Sequence, residues 1–278
     1  MRYLLLFLGA AAIVSCDRPE SGESTSQAPV VPAVITYDGS NSARQPDRVQ
    51  HGKRLSYVLG CTGCHGDKLQ GQNVTEKAPN MGDWWAPNVT LHMAKYSDAQ
   101  LERLIRHGEP KDGRTFYFMP AESLQYTSDA DLAALVTYLR TLEPAGDQTP
   151  SVRKGPLFVE LEKKGEFAPA PQMIRRFQAE QPADLGERHR QGRYIAMTVC
   201  TECHNSKLQG FEGFSPDLDI AGAYEADELA RLLTTGEGKV DKDLGLMSAT
   251  ARHRFSKFTQ RERSAIVGYL IARAKAAK

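Results

Sequence analysis

An eleven-residue motif occurs twice in the chain. CTGCHGDKLQG begins at Cys61 and CTECHNSKLQG at Cys200, and the two agree at eight of eleven positions. Agreement of that kind means one structural unit used twice. Each copy contains Cys-x-x-Cys-His, the attachment motif for c-type haem. Two thiols three residues apart on one helical turn can each add to a vinyl group of the same porphyrin. The next residue, histidine, then lies beneath the ring, where its imidazole can bind iron. Cys61, Cys64, Cys200 and Cys203 are therefore the candidate covalent attachment points for two haems, with His65 and His204 as iron ligands.

Three other uses of such cysteines fit less well. A four-cysteine zinc site would need both pairs, but the second pair begins 136 residues after the first ends (200 minus 64). A thioredoxin-like dithiol would sit near a βαβ pattern, which the sequence lacks. A local disulfide would not call for histidine after both pairs. The fifth cysteine, Cys16, has a separate reading. Met1 to Val14 carries one early positive charge, Arg2, and an apolar run too short to span a bilayer comfortably. Ile13-Val14-Ser15-Cys16 resembles a bacterial lipobox, which implies cleavage before Cys16 and lipidation of its sulfur. Asp17 follows, a residue associated in many Gram-negative lipoproteins with retention in the inner membrane.

The expected domain plan has five parts. Residues 1–15 are a lipoprotein-type signal peptide. Residues 16–46, rich in Ser, Pro and small polar residues, read as a flexible tether. Two units follow, at 47–145 and 184–278, joined by a connector at 146–183. Six of the chain's fifteen prolines fall at 144, 150, 156, 169, 171 and 182. That density disfavours helix and central strand, so the connector reads as extended, strapped along a surface through Leu157, Phe158, Val159 and Phe167.

Both units read as helical. Spacing near 3.6 predicts helices over 47–59, 97–107 and 128–142 in the first, and over 185–199, 227–235 and 259–274 in the second. Ser-x-x-Gln at 97–100 and Thr-x-x-Glu at 259–262 are helix starts, and Gly108 and Gly236 are stops. No convincing run of alternating strands appears, so the fold class is all-α. The formal net charge is +1, which carries no footprint of a nucleic-acid binder.

A haem iron that only carries electrons usually needs a sixth ligand, and methionine raises its potential relative to a second nitrogen. Met247, 43 residues past His204, is favoured over His253 in the second unit. The first offers Met81, Met93 and Met119, with His92 and His107 as nitrogen rivals. Met119 is favoured: it lies 54 residues past His65, in a loop before the last helix, as Met247 does. Ser248 follows Met247 where Pro120 follows Met119, so the second loop is expected to be the less stiff.

Each unit resembles a class I cytochrome c domain. The first, with CTGCHG, APNVT, DGRTFYFMPAESL and SDADLAALVTYLRTL, is similar to the cytochrome subunits of bacterial alcohol dehydrogenases and related dehydrogenases. The resemblance implies two tandem class I cytochrome c domains and two covalently bound haem c. It also implies that the helix before each cysteine pair crosses the final helix, near Gly52 and Tyr138 and near Gly192 and Tyr269. Pro87 and Pro216 are expected near the histidines. With the export signal, the expectation is a lipid-anchored electron carrier on the periplasmic side of the bacterial inner membrane. It would accept electrons from a dehydrogenase or respiratory complex and deliver them to another cytochrome or a terminal oxidase. A fixed subunit of a membrane-associated dehydrogenase is the alternative. A dihaem peroxidase fits less well, because two methionine ligands would close both irons. The long connector leads one to expect two sites that behave independently.

Overall fold

The computed structural model describes residues 34–277. Cys16, the signal peptide and residues 17–33 lie outside them. The first block contains α1 (Gln45–Val58), α2 (Cys61–His65), α3 (Asp98–His107), α4 (Ala121–Leu124) and α5 (Asp129–Leu139). Then come α6 (Pro156–Lys163) and α7 (Ala170–Ala179). The second block holds α8 (Arg190–Val199), α9 (Thr201–His204), α10 (Ala226–Thr235), α11 (Leu246–His253) and α12 (Gln260–Ala276). Among the described residues, strand is confined to two-residue pieces, β1 (Gln72–Asn73), β2 (Gly82–Asp83), β3 (Trp85–Ala86) and β4 (Arg153–Lys154). These pair antiparallel as β1 with β3 and β2 with β4. Among the described residues no helix is long and apolar enough to cross a membrane.

Local chemistry sets the helix boundaries. Ser97 and Gln100 form a reciprocal capping box at the start of α3, and Thr259 and Glu262 do so at α12. Gly108 and Gly236 end α3 and α10 in the left-handed conformation that glycine adopts without strain. In each block the helix before the cysteines crosses the last helix at a glycine. A Cβ on Gly52 would lie 2.0 Å from the Ala134 carbonyl oxygen, and one on Gly192 would lie 2.2 Å from that of Ala265. Tyr138 and Tyr269 flank these crossings. Backbone-to-backbone approach of this kind fixes where the cysteine turn leaves its helix.

The two blocks share one apolar core. Leu55, Leu101 and Leu135 of the first are continuous with Ile195, Leu232 and Ile266 of the second. A buried polar seam runs beside it. Asp131 of α5 accepts from the Tyr194 hydroxyl at 2.5 Å and from the Tyr37 N–H at 3.0 Å. Glu262 of α12 is fully buried and receives Arg54 of α1 at 2.7 and 2.9 Å. The two units expected to be joined by a connector thus also meet directly, through this core and seam.

Two further segments depart from expectation. The stretch 146–183 is not extended, since it forms α6 and α7. Its prolines explain the misreading. Pro156 and Pro171 occupy the first turns of α6 and α7, where the missing N–H has no intrahelical partner to lose. Phe158 of α6 is completely buried among Trp84, Tyr117, Phe118 and Phe167, while Leu157 is exposed. Ile174 and Ala170 of α7 close over Phe116 and Ala121. The other departure is at the end of the expected tether. Tyr37 is fully buried between the blocks, its hydroxyl 2.7 Å from Thr198 Oγ1, and the Asp38 N–H donates to Glu262 at 2.8 Å.

Candidate functional site

Two similar turns carry the paired cysteines. Gly60, left-handed at φ 86°, turns the chain from α1 into α2 and sets Cys61 and Cys64 on one helical turn. In the second block no left-handed residue intervenes: Cys200, at φ −98°, ends α8 and caps α9, and Cys203 lies within α9. The Nδ1–H of His65 donates to the Pro87 carbonyl at 2.8 Å, and that of His204 donates to the Pro216 carbonyl at 2.8 Å. A carbonyl can only accept, so the proton sits on Nδ1 and the Nε2 lone pair is left for a metal. Burial lowers the pKa of both imidazoles and favours the neutral form that ligates iron.

The repeated Lys-Leu-Gln-Gly has a geometric purpose that its sequence alone does not disclose. Leu69 and Leu208 are both fully buried, with φ 56° and 63°. Their carbonyls accept from the N–H groups of Val89 (2.8 Å) and Leu218 (2.9 Å). Gly71 and Gly210 donate back to the carbonyls of His65 and His204 at 2.8 and 2.9 Å. A Cβ on either glycine would collide with backbone, at 2.5 Å from Ala86 O and 2.2 Å from Ser215 O. The motif therefore folds the chain back so that a proline carbonyl meets the histidine. Its repetition was the signal that could have pointed to this.

The thiols themselves argue against dithiol redox chemistry. Burial pushes Cys61 and Cys200 up to about 12, and Cys64 and Cys203 up to about 11. A redox-active Cys-x-x-Cys is shifted in the opposite direction. Among the described residues no three His, Cys, Asp or Glu side chains converge on one point, so the zinc alternative has no donor set.

The candidate sixth ligands occupy different local structures. Met119 precedes α4, between Phe118 at φ 63° and the N-capping Pro120. Phe118 is held against Trp84, with ring centres 4.6 Å apart. Met119 is half-buried against the main core, as is Met247. Met247, however, lies in the first turn of α11 and not in a loop. Ser248 is fully buried: its hydroxyl accepts from the Leu244 N–H at 2.8 Å and donates to the Gly236 carbonyl. That bridge removes the reason for expecting the less stiff segment there.

Three of the rival donors, His253, Met81 and Met93, are occupied elsewhere. The His253 Nε2 lies 3.0 Å from Thr62 Oγ1 and 3.6 Å from Asp67, both in the first block. Met81 is buried in the aromatic cluster and Met93 in the main core. His51 is buried at the seam, 2.8 Å from Ser40 Oγ. Each block thus combines a cysteine pair on one turn, an oriented imidazole, and a half-buried methionine beside apolar side chains. That donor set fits a covalently bound haem.

Comparison with known proteins agrees. Residues 49–143 match the Cytochrome c family model, so this segment is a cytochrome c domain. The chain is 27% identical over 231 residues to a component of the nicotinate dehydrogenase of Pseudomonas putida, covering 76% of this chain and 18% of that protein. It is 26% identical over 170 residues to the fructose dehydrogenase cytochrome subunit of Gluconobacter japonicus, covering 57% and 33%. It is 24% identical over 283 residues to the gluconate 2-dehydrogenase cytochrome c subunit of Pantoea cypripedii, covering 86% and 61%. The chain spans less than two thirds of the length of each of these relatives. The resemblance to cytochrome c subunits of dehydrogenases holds.

Proposed function

We propose that the chain is a dihaem cytochrome c, built as two tandem class I domains, that carries electrons away from a dehydrogenase. The observation that carries this reading is the doubled attachment turn, each with its imidazole aimed by a proline carbonyl at 2.8 Å. When bound, haem c supplies a one-electron ferric/ferrous couple. The chain's own residues do the rest. Cys61 and Cys64 would hold one haem, and Cys200 and Cys203 the other. His65 and His204 would present Nε2 to iron, and Met119 and Met247 would each supply a thioether ligand. Helices α6 and α7 brace the Met119 segment through Phe158 and Ala170.

The setting completes the proposal. Cys16 carries a lipid anchor, and the protein works on the periplasmic side of the bacterial inner membrane. Electrons arrive from a dehydrogenase or respiratory complex and leave to another cytochrome or a terminal oxidase. A lipid anchor would raise the effective concentration of the carrier near membrane partners. The relatives, two of them cytochrome subunits of dehydrogenases, favour a second form of the same reading, a fixed cytochrome subunit of such an enzyme. Copurification of a catalytic chain from detergent-solubilised membranes separates the two.

Ligand substitution tests the site. The ferric protein should show the weak far-red charge-transfer band of a methionine–iron bond, and the ferrous protein should be low-spin. Met119→His and Met247→His should each keep a low-spin haem and lower one potential, because a second imidazole favours ferric iron more than a thioether does. A five-coordinate, high-spin ferrous haem in the wild type would instead indicate an open iron and peroxidase-type chemistry.

A further inference from the structure

The two cysteine turns meet at one ion pair, between a buried arginine and a half-buried glutamate. Arg254, between α11 and α12, is only 8% exposed. Its Nε donates to the Val58 carbonyl at 3.2 Å, and its Nη1 donates to Glu202 Oε2 at 2.8 Å. Val58 ends the helix that leads to Cys61, and Glu202 lies between Cys200 and Cys203. The guanidinium also lies over Gly60, where a Cβ would come within 2.7 Å of Cζ, so the glycine before Cys61 makes room for it. Nη2 is buried without a hydrogen-bond partner. Such a charge is costly to bury and is retained here at the junction of the two motifs.

We propose that the Arg254–Glu202 pair is a shared electrostatic control on both haem sites. The guanidinium favours, and the carboxylate opposes, the arrival of an electron at either one. The inference rests on the dihaem reading given above. Reduction of a ferric centre adds one electron with no bond made or broken, and lowers the local charge by one. A fixed cation nearby therefore stabilises the reduced state and a fixed anion the oxidised state. The pair touches both motifs directly: its guanidinium lies against Gly60, next to Cys61, and its carboxylate belongs to the residue between Cys200 and Cys203.

The test is a spectroelectrochemical titration of the haem-loaded full chain as wild type, Arg254→Gln, Arg254→Lys and Glu202→Gln. Haem per chain is measured first. Arg254→Gln leaves the carboxylate uncompensated, so both potentials should fall. Glu202→Gln leaves the guanidinium uncompensated, so both should rise. Each shift should be about tenfold in the oxidised-to-reduced ratio, or about 59 mV for one electron. Arg254→Lys keeps the charge and should shift both sites less than Arg254→Gln does. A merely structural role would move the two neutralising variants in the same direction. Shifts of the same sign, or a shift at one haem alone, would overturn the inference. Should Arg254→Gln fail to fold, Glu202→Gln decides it: a rise at both sites supports the proposal, and anything else contradicts it. Fewer than two haems in the wild type would instead refute the dihaem reading.

Discussion

Gly52 and Gly192 offer a prediction whose sign separates local propensity from packing. Alanine is the better helix former by about 0.8–1.0 kcal/mol, so propensity alone makes Gly52→Ala stabilising. The crossing of α1 and α5 says the reverse. The new Cβ would sit 2.0 Å from Ala134 O and 2.8 Å from Tyr138 Cβ, where contacts under 3.0 Å essentially never occur. The helices must therefore separate by at least 1.0 Å (3.0 minus 2.0). A gap of that size forfeits a quarter to a half of the dispersion energy along the contact. Overpacking of this kind costs roughly 3 kcal/mol, which leaves a net loss of roughly 2 kcal/mol after the propensity gain. For a chain of this size that lowers Tm by roughly 4–8 °C. Gly192→Ala should behave alike, with Ala265 O at 2.2 Å and Tyr269 Cβ at 2.5 Å. Gly268→Ala is the control: it lies in α12 with nothing within 4 Å of its Cβ position and should gain up to about 1 kcal/mol. Urea unfolding of the haem-loaded proteins measures all three. A midpoint for Gly52→Ala at or above wild type would refute the argument that the two backbones meet there.

Two other outcomes follow from carboxylates, one buried and one half-buried. Asp131→Ala strips the acceptor from the Tyr37 N–H, the Tyr194 hydroxyl and the Ser128 hydroxyl, and should cost about 3 kcal/mol in a urea titration. A loss within experimental error of zero would mean that the seam does not hold the blocks together. Burial pushes the Glu122 carboxyl up from 4.5 to about 7. The folded state then binds the proton more tightly, so this group's stabilising contribution is full below about pH 4.5 and is lost as pH rises through about 7. Between pH 5 and pH 8 the wild type should lose roughly 1–2 kcal/mol relative to Glu122→Gln, solvent at this half-buried side chain reducing the full burial effect. Parallel stability curves for the two proteins would count against that burial.

What the sequence disclosed, and what it hid, divides by the range of the interaction. The starts of α3 and α12 were legible because Ser97 with Gln100 and Thr259 with Glu262 act over three residues. The cysteine turns were legible because the attachment chemistry demands a fixed spacing. Helices α6 and α7 were hidden by proline density, since a count of prolines does not say that two of them stand in first turns. Tyr37 looked like part of a tether because its partners lie far along the chain: Asp131 is 94 residues away and Thr198 is 161. Arg254 was unremarkable for the same reason, its Val58 partner lying 196 residues away. Ser248 differs from Pro120 in backbone stiffness, but its effect comes from a hydroxyl that reaches Gly236.

The central claim is that one chain carries two covalently bound haems, each on its own cysteine pair. Intact-mass measurement of the denatured protein tests it most directly. The polypeptide should be heavier than its sequence by two haems, Cys61→Ala with Cys64→Ala should remove one, and Cys200→Ala with Cys203→Ala should remove the other. A wild-type chain carrying one haem or none, or a double substitution that leaves both in place, would contradict the account.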